Sequence, residues 1–284
     1  MERIQSMLTP AQVAQFKANG FFKSSKVLSD AQVETLRRDL ERVMKDHGNT
    51  AVQQPVSISN WNPQAPVWQI VNIWEASNAF RELLSNPTIV EEVAQLTGAK
   101  QLRVWHDQIQ YKPAGDGGVN MWHQDWPYWP SIAPMTEQVS AWVALDDVDE
   151  SNGCMSMVPG SHLWGNSIEF LHTLKDFKAM PASFKEHKLE VKLAPVRKGE
   201  VHYHHGLTWH GSHANTSGQP RRAIAVHYMT QRTVHAASGK HLMSPLIDTP
   251  DGQMLQGEHF PLVWDNGNAV AAAPVKARIL TAKP

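Results

Sequence analysis

His123 and Asp125, separated by one residue, and His210, in the distant segment 209–212, are the residues best suited to metal chemistry. If both segments are β-strands, His123 and Asp125 point to one face, because side chains two apart on a strand share a face. A histidine from another strand can complete a set of two imidazoles and one carboxylate. Such a set leaves one side of the metal open, which is typical of non-heme Fe(II) sites that react with O₂.

His-x-Asp pairs also arise by chance in a chain with fifteen histidines, so Arg221, eleven residues after His210, carries further weight. Many Fe(II) sites use 2-oxoglutarate as electron donor, and its distal carboxylate needs a fixed cation such as the planar fork of arginine. We expect Arg221 to open a strand antiparallel to the one ending near His210. By alternation Arg222 should face the other way. Ser212, in the connecting turn, could hydrogen-bond the same carboxylate.

Four more histidines within residues 202–213 leave a second interpretation open. His202 and His204 alternate in phase, and this cluster could hold zinc or manganese in an enzyme that uses no co-substrate. Such an enzyme would have no need of Arg221. A non-catalytic binding protein on the same scaffold is a third possibility, because a fold does not fix a function.

The composition excludes several classes of protein. The chain has 284 residues, 42% of them hydrophobic, and a net charge of -1 from interspersed charges, which argues against a nucleic-acid partner. No stretch approaches the roughly 20 apolar residues of a membrane span. The start of the chain lacks the apolar run of a signal peptide. The single cysteine, Cys154, excludes an internal disulfide and favours a reducing compartment. We therefore expect a cytoplasmic protein with a small-molecule substrate; its oligomeric state cannot be read from the sequence.

The first hundred residues are predicted to be mainly helical. Thr9-Pro10 is a helix start, Ser29 with Gln32 forms a capping-box pattern, and the segment 86–98 begins with Asn-Pro and ends with Gly, as helices commonly do. Between these helices, residues 49–76 are rich in Gln, Asn, Pro and Trp, and we expect an ordered loop there.

From about residue 101 the hydrophobic period shifts toward two, which predicts strands. The predicted strands cover residues 101–111, 139–145, 190–193, 200–204 and 223–229. Asn152-Gly153 is a β-hairpin signal, and residues 165–189 resemble an insertion with partial helical character. Short strands with turn signals favour a sandwich or small barrel, whose outside the N-terminal helices would cover. We predict one domain over residues 1–284, with a helical flank at 1–100, the core at 101–230, and loops and a tail at 231–284.

Six ordered motifs resemble the phytanoyl-CoA dioxygenase family, and the similarity covers residues 7–230. The motifs are Gln110-Tyr111-Lys112-Pro113, Trp122-His123-Gln124-Asp125-Trp126, Trp142-Val143-Ala144-Leu145-Asp146-Asp147, Asn152-Gly153-Cys154, Val158-Pro159-Gly160-Ser161-His162, and His210-Gly211-Ser212 with Asn215 and Pro220-Arg221. The resemblance implies a mainly β fold with flanking helices and a double-stranded β-helix (jelly-roll) core. It also implies Fe(II), 2-oxoglutarate and O₂ as cofactor and co-substrates.

The resemblance assigns roles to individual residues. It makes His123, Asp125 and His210 the iron ligands, and it places Arg221 and Ser212 at the positions that hold the distal carboxylate. Further positions around the co-substrate match Gln110, Trp142 and Trp129. Three residues are candidates for substrate contact, the first two because they share the inward phase of Gln110: His106, Gln108 and Trp126.

The implied activity is that of an oxygenase that hydroxylates or otherwise oxidises a small molecule and releases succinate and CO₂. Tryptophans around the proposed site favour an apolar or ring-bearing substrate, and no basic cluster for CoA stands out. The presence of Asp125 disfavours halogenation, since related halogenases lack this carboxylate. Desaturation, epoxidation and rearrangement remain open, and the sequence does not name the substrate.

Overall fold

The computed structural model describes residues 8–60, 62–115 and 117–275. Its helices are Pro10–Asn19 (α1), Asp30–Lys45 (α2), Ile73–Ala76 (α3), Asn78–Leu84 (α4), Pro87–Thr97 (α5) and Ile168–Leu171 (α6). No helix in these ranges is long and apolar enough to span a membrane. The sequence predictions about the first few residues and about the end of the predicted tail, residues 276–284, lie outside the described residues.

The strands are numbered in chain order. They are Phe21–Lys26 (β1), Ser57–Asn60 (β2), Trp68–Val71 (β3), Gln101–Lys112 (β4), Asn120–His123 (β5), Ile132–Ala133 (β6), Gln138–Ala144 (β7), Met155–Met157 (β8), Ser183–Phe184 (β9), His187–Lys188 (β10), Lys192–Ala194 (β11), Glu200–His205 (β12), His210–Ser212 (β13), Arg221–Thr230 (β14), Val234–His235 (β15), Leu262–Asp265 (β16) and Asn268–Ala269 (β17).

Two antiparallel sheets form the core. The main sheet has the order β1-β12-β7-β14-β4-β16-β17, with β3 also paired to β4 and β2 to β3, and the small sheet has the order β11-β8-β13-β5. Apolar side chains from both sheets pack between them, including Trp142 and Ala225 from the main sheet and Met155 and Met157 from the small one. This is the predicted jelly-roll architecture, and the fold prediction is confirmed.

Successive side chains of β14 point alternately to the two faces of the main sheet. Ile224 and Val226 face outward into the large apolar core, while Ala223 and Ala225 face the small sheet. The outward side is covered by the amphipathic helices α2 and α5, whose buried apolar residues join the same cluster. The helical flank therefore covers the outside of the sheet, as predicted, and leaves the inward side for polar groups.

The helix starts follow local sequence. Thr9 and Ser29 each accept a backbone N–H from the residue three positions on, and glutamine side chains complete both capping boxes. The first hundred residues nevertheless contain β1, β2 and β3, which the helical prediction missed. These short strands lack clear alternation. β1 pairs with β12 and β3 pairs with β4, both distant in sequence, and β2 pairs with β3.

Two predictions about connections were wrong. Asn152-Gly153 makes a turn, with Gly153 at φ +88°, but it joins no hairpin, because β7 and β8 belong to different sheets. Similarly, β14 pairs with β4 and β7, whereas the His210 strand, β13, pairs with β5 and β8. The intervening segment 213–220 crosses from one sheet to the other. Both errors share a cause: neighbours in sequence were assumed to pair, and in this fold they alternate between sheets.

Candidate metal centre

The small sheet brings the two predicted histidine ligands together. His210 on β13 is the direct cross-strand partner of His123 on β5, and their ring centroids are 4.1 Å apart. Asp125 lies beyond the end of β5, in a helical backbone conformation with φ -73° and ψ -49°. Strand alternation was the predicted reason for Asp125 to lie beside His123. The reason in the structure is different, because the turn after β5 brings Asp125 there.

The three side chains converge on one point. Asp125 Oδ1 lies 3.7 Å from His123 Nε2 and 3.5 Å from His210 Nε2. These three atoms could hold one metal ion, and the described residues contain no other such set of histidine, cysteine and carboxylate atoms. Two imidazoles and one carboxylate suit Fe(II), so the donor set fits the metal that the sequence motifs imply.

Both histidines are prepared to donate a lone pair from Nε2. His123 Nδ1 lies 2.7 Å from the carbonyl oxygen of Met121, and His210 Nδ1 lies 2.9 Å from that of Thr208. A carbonyl only accepts, so Nδ1 carries the proton in each ring and Nε2 does not. Burial lowers the pKa of His123 and moves that of His210 well below its usual value. The neutral rings that a metal requires are thus favoured.

Asp125 is held ionised. Burial by itself would raise its pKa, but nearby His210 and the hydrogen bond from His204 keep the pKa of Asp125 well below its usual range. Once His123 and His210 are neutral, as metal binding requires, this buried carboxylate has no full counterion. A divalent cation at this point would supply that counterion.

A second group of polar residues lies beside the metal centre, around Ser212. Arg221 donates to the Gly153 carbonyl oxygen at 3.0 and 3.2 Å and to Ser212 Oγ at 3.0 Å. Lys112 Nζ also donates to Ser212 Oγ, at 2.7 Å. Both cations are fully buried, and within the described parts of the chain neither lies within ion-pair distance of a carboxylate.

Lys112 is a residue that sequence reasoning missed. It was noted within a motif but given no role, although it shares the inward phase of Gln110 on β4. Burial and the neighbouring Arg221 move the pKa of Lys112 well below its usual value. Burial also lowers the pKa of Arg221, to about 10, which leaves it a cation at neutral pH. Two buried cations that share a serine hydroxyl fit a carboxylate ligand.

One small cavity extends from the metal centre to Ser212, the serine that both cations contact. Its wall includes the three converging residues together with Ser212, Gln110 and Trp142, all named by the sequence analysis. Trp142 also lies under the Arg221 guanidinium, 5.4 Å from carbon to ring. Asn120 and His227 line the same cavity and were not predicted as site residues. His204 also lines it and was predicted only as a ligand of the alternative zinc or manganese site.

Other predicted residues lie outside this cavity. Trp129 and His106 pack on the far side of His227, with ring centroids 4.7 and 4.6 Å from it. Trp126 is partly buried in the same aromatic cluster. Gln108 is half-buried on β4, and its backbone pairs with β3 and β14. These residues form a layer behind the cavity wall rather than the wall itself.

The fold and the candidate metal ligands are those expected of one class, the iron- and 2-oxoglutarate-dependent oxygenases. The sequence model of phytanoyl-CoA dioxygenase matches residues 16–223. The chain belongs to the phytanoyl-CoA dioxygenase family, and as a member it is an enzyme that uses Fe(II), 2-oxoglutarate and O₂. The predicted family, reaction class and cofactors are thus confirmed, which sets aside the non-catalytic interpretation.

Individual relatives span most of the chain. The peroxisomal phytanoyl-CoA dioxygenase of Bos taurus is 26% identical over 245 residues, which are 80% of this chain and 70% of that protein. The ectoine dioxygenase of Bordetella parapertussis is 24% identical over 78% of this chain and 76% of its own. Among solved structures, the α-ketoglutarate-dependent carbocyclase SnoK from nogalamycin biosynthesis superposes with a TM-score of 0.73 at 27% identity, covering 90% of this chain and 96% of its own.

Proposed function

We propose that His123, Asp125 and His210 hold the catalytic iron, and that Arg221 and Lys112 bind the distal carboxylate of 2-oxoglutarate with help from Ser212. The single observation that carries this proposal is the cavity that runs from the three converging residues to Ser212, whose hydroxyl both buried cations contact. When bound, the iron supplies the oxidising chemistry with O₂ and 2-oxoglutarate, and succinate and CO₂ are released.

The protein contributes positioning and exclusion of water. The Arg221 guanidinium and the Lys112 ammonium fix one end of the co-substrate, so its keto acid end is directed along the cavity toward the histidines. Gln110 and Trp142 form the wall between the two ends. Hydrogen bonds from Nδ1 to backbone carbonyls keep the two imidazoles in one tautomer and one orientation.

The substrate that we propose is a small apolar or ring-bearing molecule, not an acyl-CoA. Aromatic rings surround the centre: Tyr128 lies 6.3 Å from His123 and is half exposed, and Trp129 and His106 lie behind His227. Exposed apolar side chains, Val119 and Met121, flank the same edge of β5. The solved relative SnoK is a carbocyclase of nogalamycin biosynthesis, and compounds related to nogalamycin are a suitable starting point for a substrate screen.

Three other predictions stand as parts of this proposal. The single cysteine favours a cytoplasmic enzyme, and the balanced charge favours a small-molecule substrate over a nucleic acid. We also retain one domain over residues 1–284.

The test measures succinate release with Fe(II), 2-oxoglutarate and ascorbate, with and without candidate substrates. We expect Asp125→Ala and His210→Ala to lower turnover to the level of metal-free protein. His202→Phe is the matched control, because His202 is also buried but stacks on Phe21 and touches none of the three proposed ligands. Unchanged turnover in Asp125→Ala or His210→Ala would reject the ligand assignment, and loss of turnover in His202→Phe would point to iron ligands among the histidines of residues 202–213.

A further inference from the structure

The two carboxylate oxygens of Asp125 lie in different surroundings. Oδ1 faces the Nε2 atoms of His123 and His210, as described above. Oδ2 faces away from them, 3.0 Å from His204 Nε2 and 3.0 Å from Ser140 Oγ. Only Oδ1 is therefore directed at the metal position.

The partners of Oδ2 belong to a row that crosses the main sheet. His204 on β12 is the direct cross-strand partner of Ser140 on β7, and Ser140 is the partner of His227 on β14. Directly opposite residues in antiparallel strands hold their side chains within about 5.5 Å of each other. We call His204, Ser140 and His227 the polar row. All three are buried, so the sheet backbone fixes their spacing.

Hydrogen-bond accounting sets the direction of each bond in the polar row. An ionised carboxylate only accepts, so His204 donates from Nε2 and Ser140 donates its one hydroxyl proton to Asp125. The Ser140 oxygen is also 2.7 Å from His227 Nδ1. Because the hydroxyl proton is already used, His227 must donate from Nδ1 to Ser140 Oγ. This donation aligns the serine hydroxyl with Asp125.

Two donors on Oδ2 have a consequence for metal binding. A carboxylate can bind a metal through one oxygen or both. An octahedral iron that accepts 2-oxoglutarate through two atoms and O₂ through one has three positions left for the protein. A two-oxygen Asp125 together with two histidines would take four. Keeping Oδ2 occupied by hydrogen bonds therefore keeps a coordination position open.

We propose that His204 and Ser140, with His227 behind Ser140, are positioning residues that restrict Asp125 to binding the metal through Oδ1 alone. This inference rests on the ligand set in the proposed function. It predicts that loss of either donor weakens metal binding and changes the number of ligands at the metal, although neither residue touches the metal.

The experiment uses Mn(II) and Co(II) as probes on the full chain. Mn(II) affinity is measured by electron paramagnetic resonance, and ligand number is read from the Co(II) absorption spectrum with 2-oxoglutarate present. We expect His204→Phe and Ser140→Ala to weaken Mn(II) binding about 10- to 100-fold, as loss of a hydrogen-bonding partner of a metal ligand commonly does. Both should also change the Co(II) spectrum and raise the KM for 2-oxoglutarate more than they lower kcat.

Two controls separate positioning from packing. Ser140→Thr keeps the hydroxyl and should restore Mn(II) affinity to within about threefold of the unaltered protein. His202→Phe removes an equally buried histidine from the same face of β12 without touching Asp125, so Mn(II) affinity and the Co(II) spectrum should not change. If His204→Phe does not fold, the Ser140 pair decides the question alone.

Wild-type-like Mn(II) affinity and an unchanged Co(II) spectrum in Ser140→Ala would overturn the inference. Weakening in Ser140→Ala that Ser140→Thr fails to reverse would assign the effect to packing and would also overturn it. Failure of the ligand set itself gives a different result: Asp125→Ala would then bind Mn(II) as tightly as the unaltered protein.

Discussion

Arg221 and Arg222 are neighbours on β14, yet they lie in opposite electrostatic surroundings. Arg222 faces the helical flank and is paired with Asp146, whose carboxylate accepts from its Nε at 3.0 Å and from its Nη2 at 2.9 Å. Arg37 of α2 reaches the same carboxylate. Arg221 faces the inner side of the sheet, where its described partners are the neutral oxygens of Gly153, Ser212 and Gln110.

The difference separates a structural charge from a functional one. On the outer side of the sheet, the chain supplies both members of each ion pair, so the interaction is complete on folding. On the inner side, Arg221 and Lys112 are two buried cations for which the described chain provides no carboxylate. Burial of an uncompensated charge is unfavourable, so the missing negative charge is expected from a ligand. The predictions below test this contrast.

The largest expected effect is the difference in KM for 2-oxoglutarate when each of the two arginines is replaced in turn. Arg221→Gln should raise the KM for 2-oxoglutarate about 100- to 1000-fold, because a bidentate charged contact to the distal carboxylate is lost. Arg222→Gln should change it less than about threefold, because its guanidinium faces away from the cavity. Steady-state succinate release measures both. Equal KM values for the two variants would remove the distinction.

For the free energy of unfolding the order should be reversed, so that a change on the outer side of the sheet has the larger effect. Asp146→Asn should lower the free energy of unfolding by about 2–3 kcal/mol, since it weakens a largely buried carboxylate that serves both Arg37 and Arg222. Arg221→Met should stay within about 1 kcal/mol of the unaltered ligand-free protein, because lost hydrogen bonds are offset by removal of an uncompensated charge. Urea unfolding without added 2-oxoglutarate compares the two. A larger loss in Arg221→Met would show that its role is mainly structural.

Lys112 sharpens the contrast further. Lys112→Met should weaken 2-oxoglutarate binding about tenfold, because one of two cations is removed while Arg221 and the metal remain. Calorimetric titration of the Mn(II)-loaded protein gives the affinity. Lys198, which is partly exposed and pairs with Asp30, provides the control variant Lys198→Met, for which no change is expected.

The smallest effect concerns alkaline pH. The pKa of Lys112 is lowered by burial and by Arg221, so in the ligand-free protein its proton is lost at a lower pH than from a free lysine. Once this proton is lost, the carboxylate faces one cation instead of two. The affinity for 2-oxoglutarate should therefore start to fall at a pH below about 10.4, the ordinary pKa of a lysine, and by at most about tenfold per pH unit. The Lys112→Met protein should show a flatter profile, and equal slopes would contradict the assignment.

The local sequence was sufficient to predict the difference between Arg221 and Arg222, because both residues lie on one strand. The opposite orientations of Arg221 and Arg222 follow from alternation alone, and the contacts of Arg222 with Asp146 confirm the outward one. Helix starts at Thr9 and Ser29 were likewise readable, because a capping box uses residues only three apart.

What the sequence could not supply depends on contacts between distant segments. Lys112 and Ser212 are a hundred residues apart and meet across the two sheets. The polar row needs the register of three strands, and a shift of one residue would turn every member to the other face. The position of Asp125 depends on a turn after β5. The prediction that His123 and Asp125 share a strand therefore gave the correct neighbours for an incorrect reason.

The strand order of the small sheet suggests that a bound metal ion would also stabilise its edge. Strand β5 is one of the two edge strands of this sheet, hydrogen-bonded on one side to β13, and two of the three proposed ligands lie on it or within two residues of its end. An ion shared by β5 and β13 would fasten that edge to the body of the protein. Chelation should then speed amide hydrogen exchange first in residues 120–123, and the exposed edge would be free to pair with a strand of another molecule.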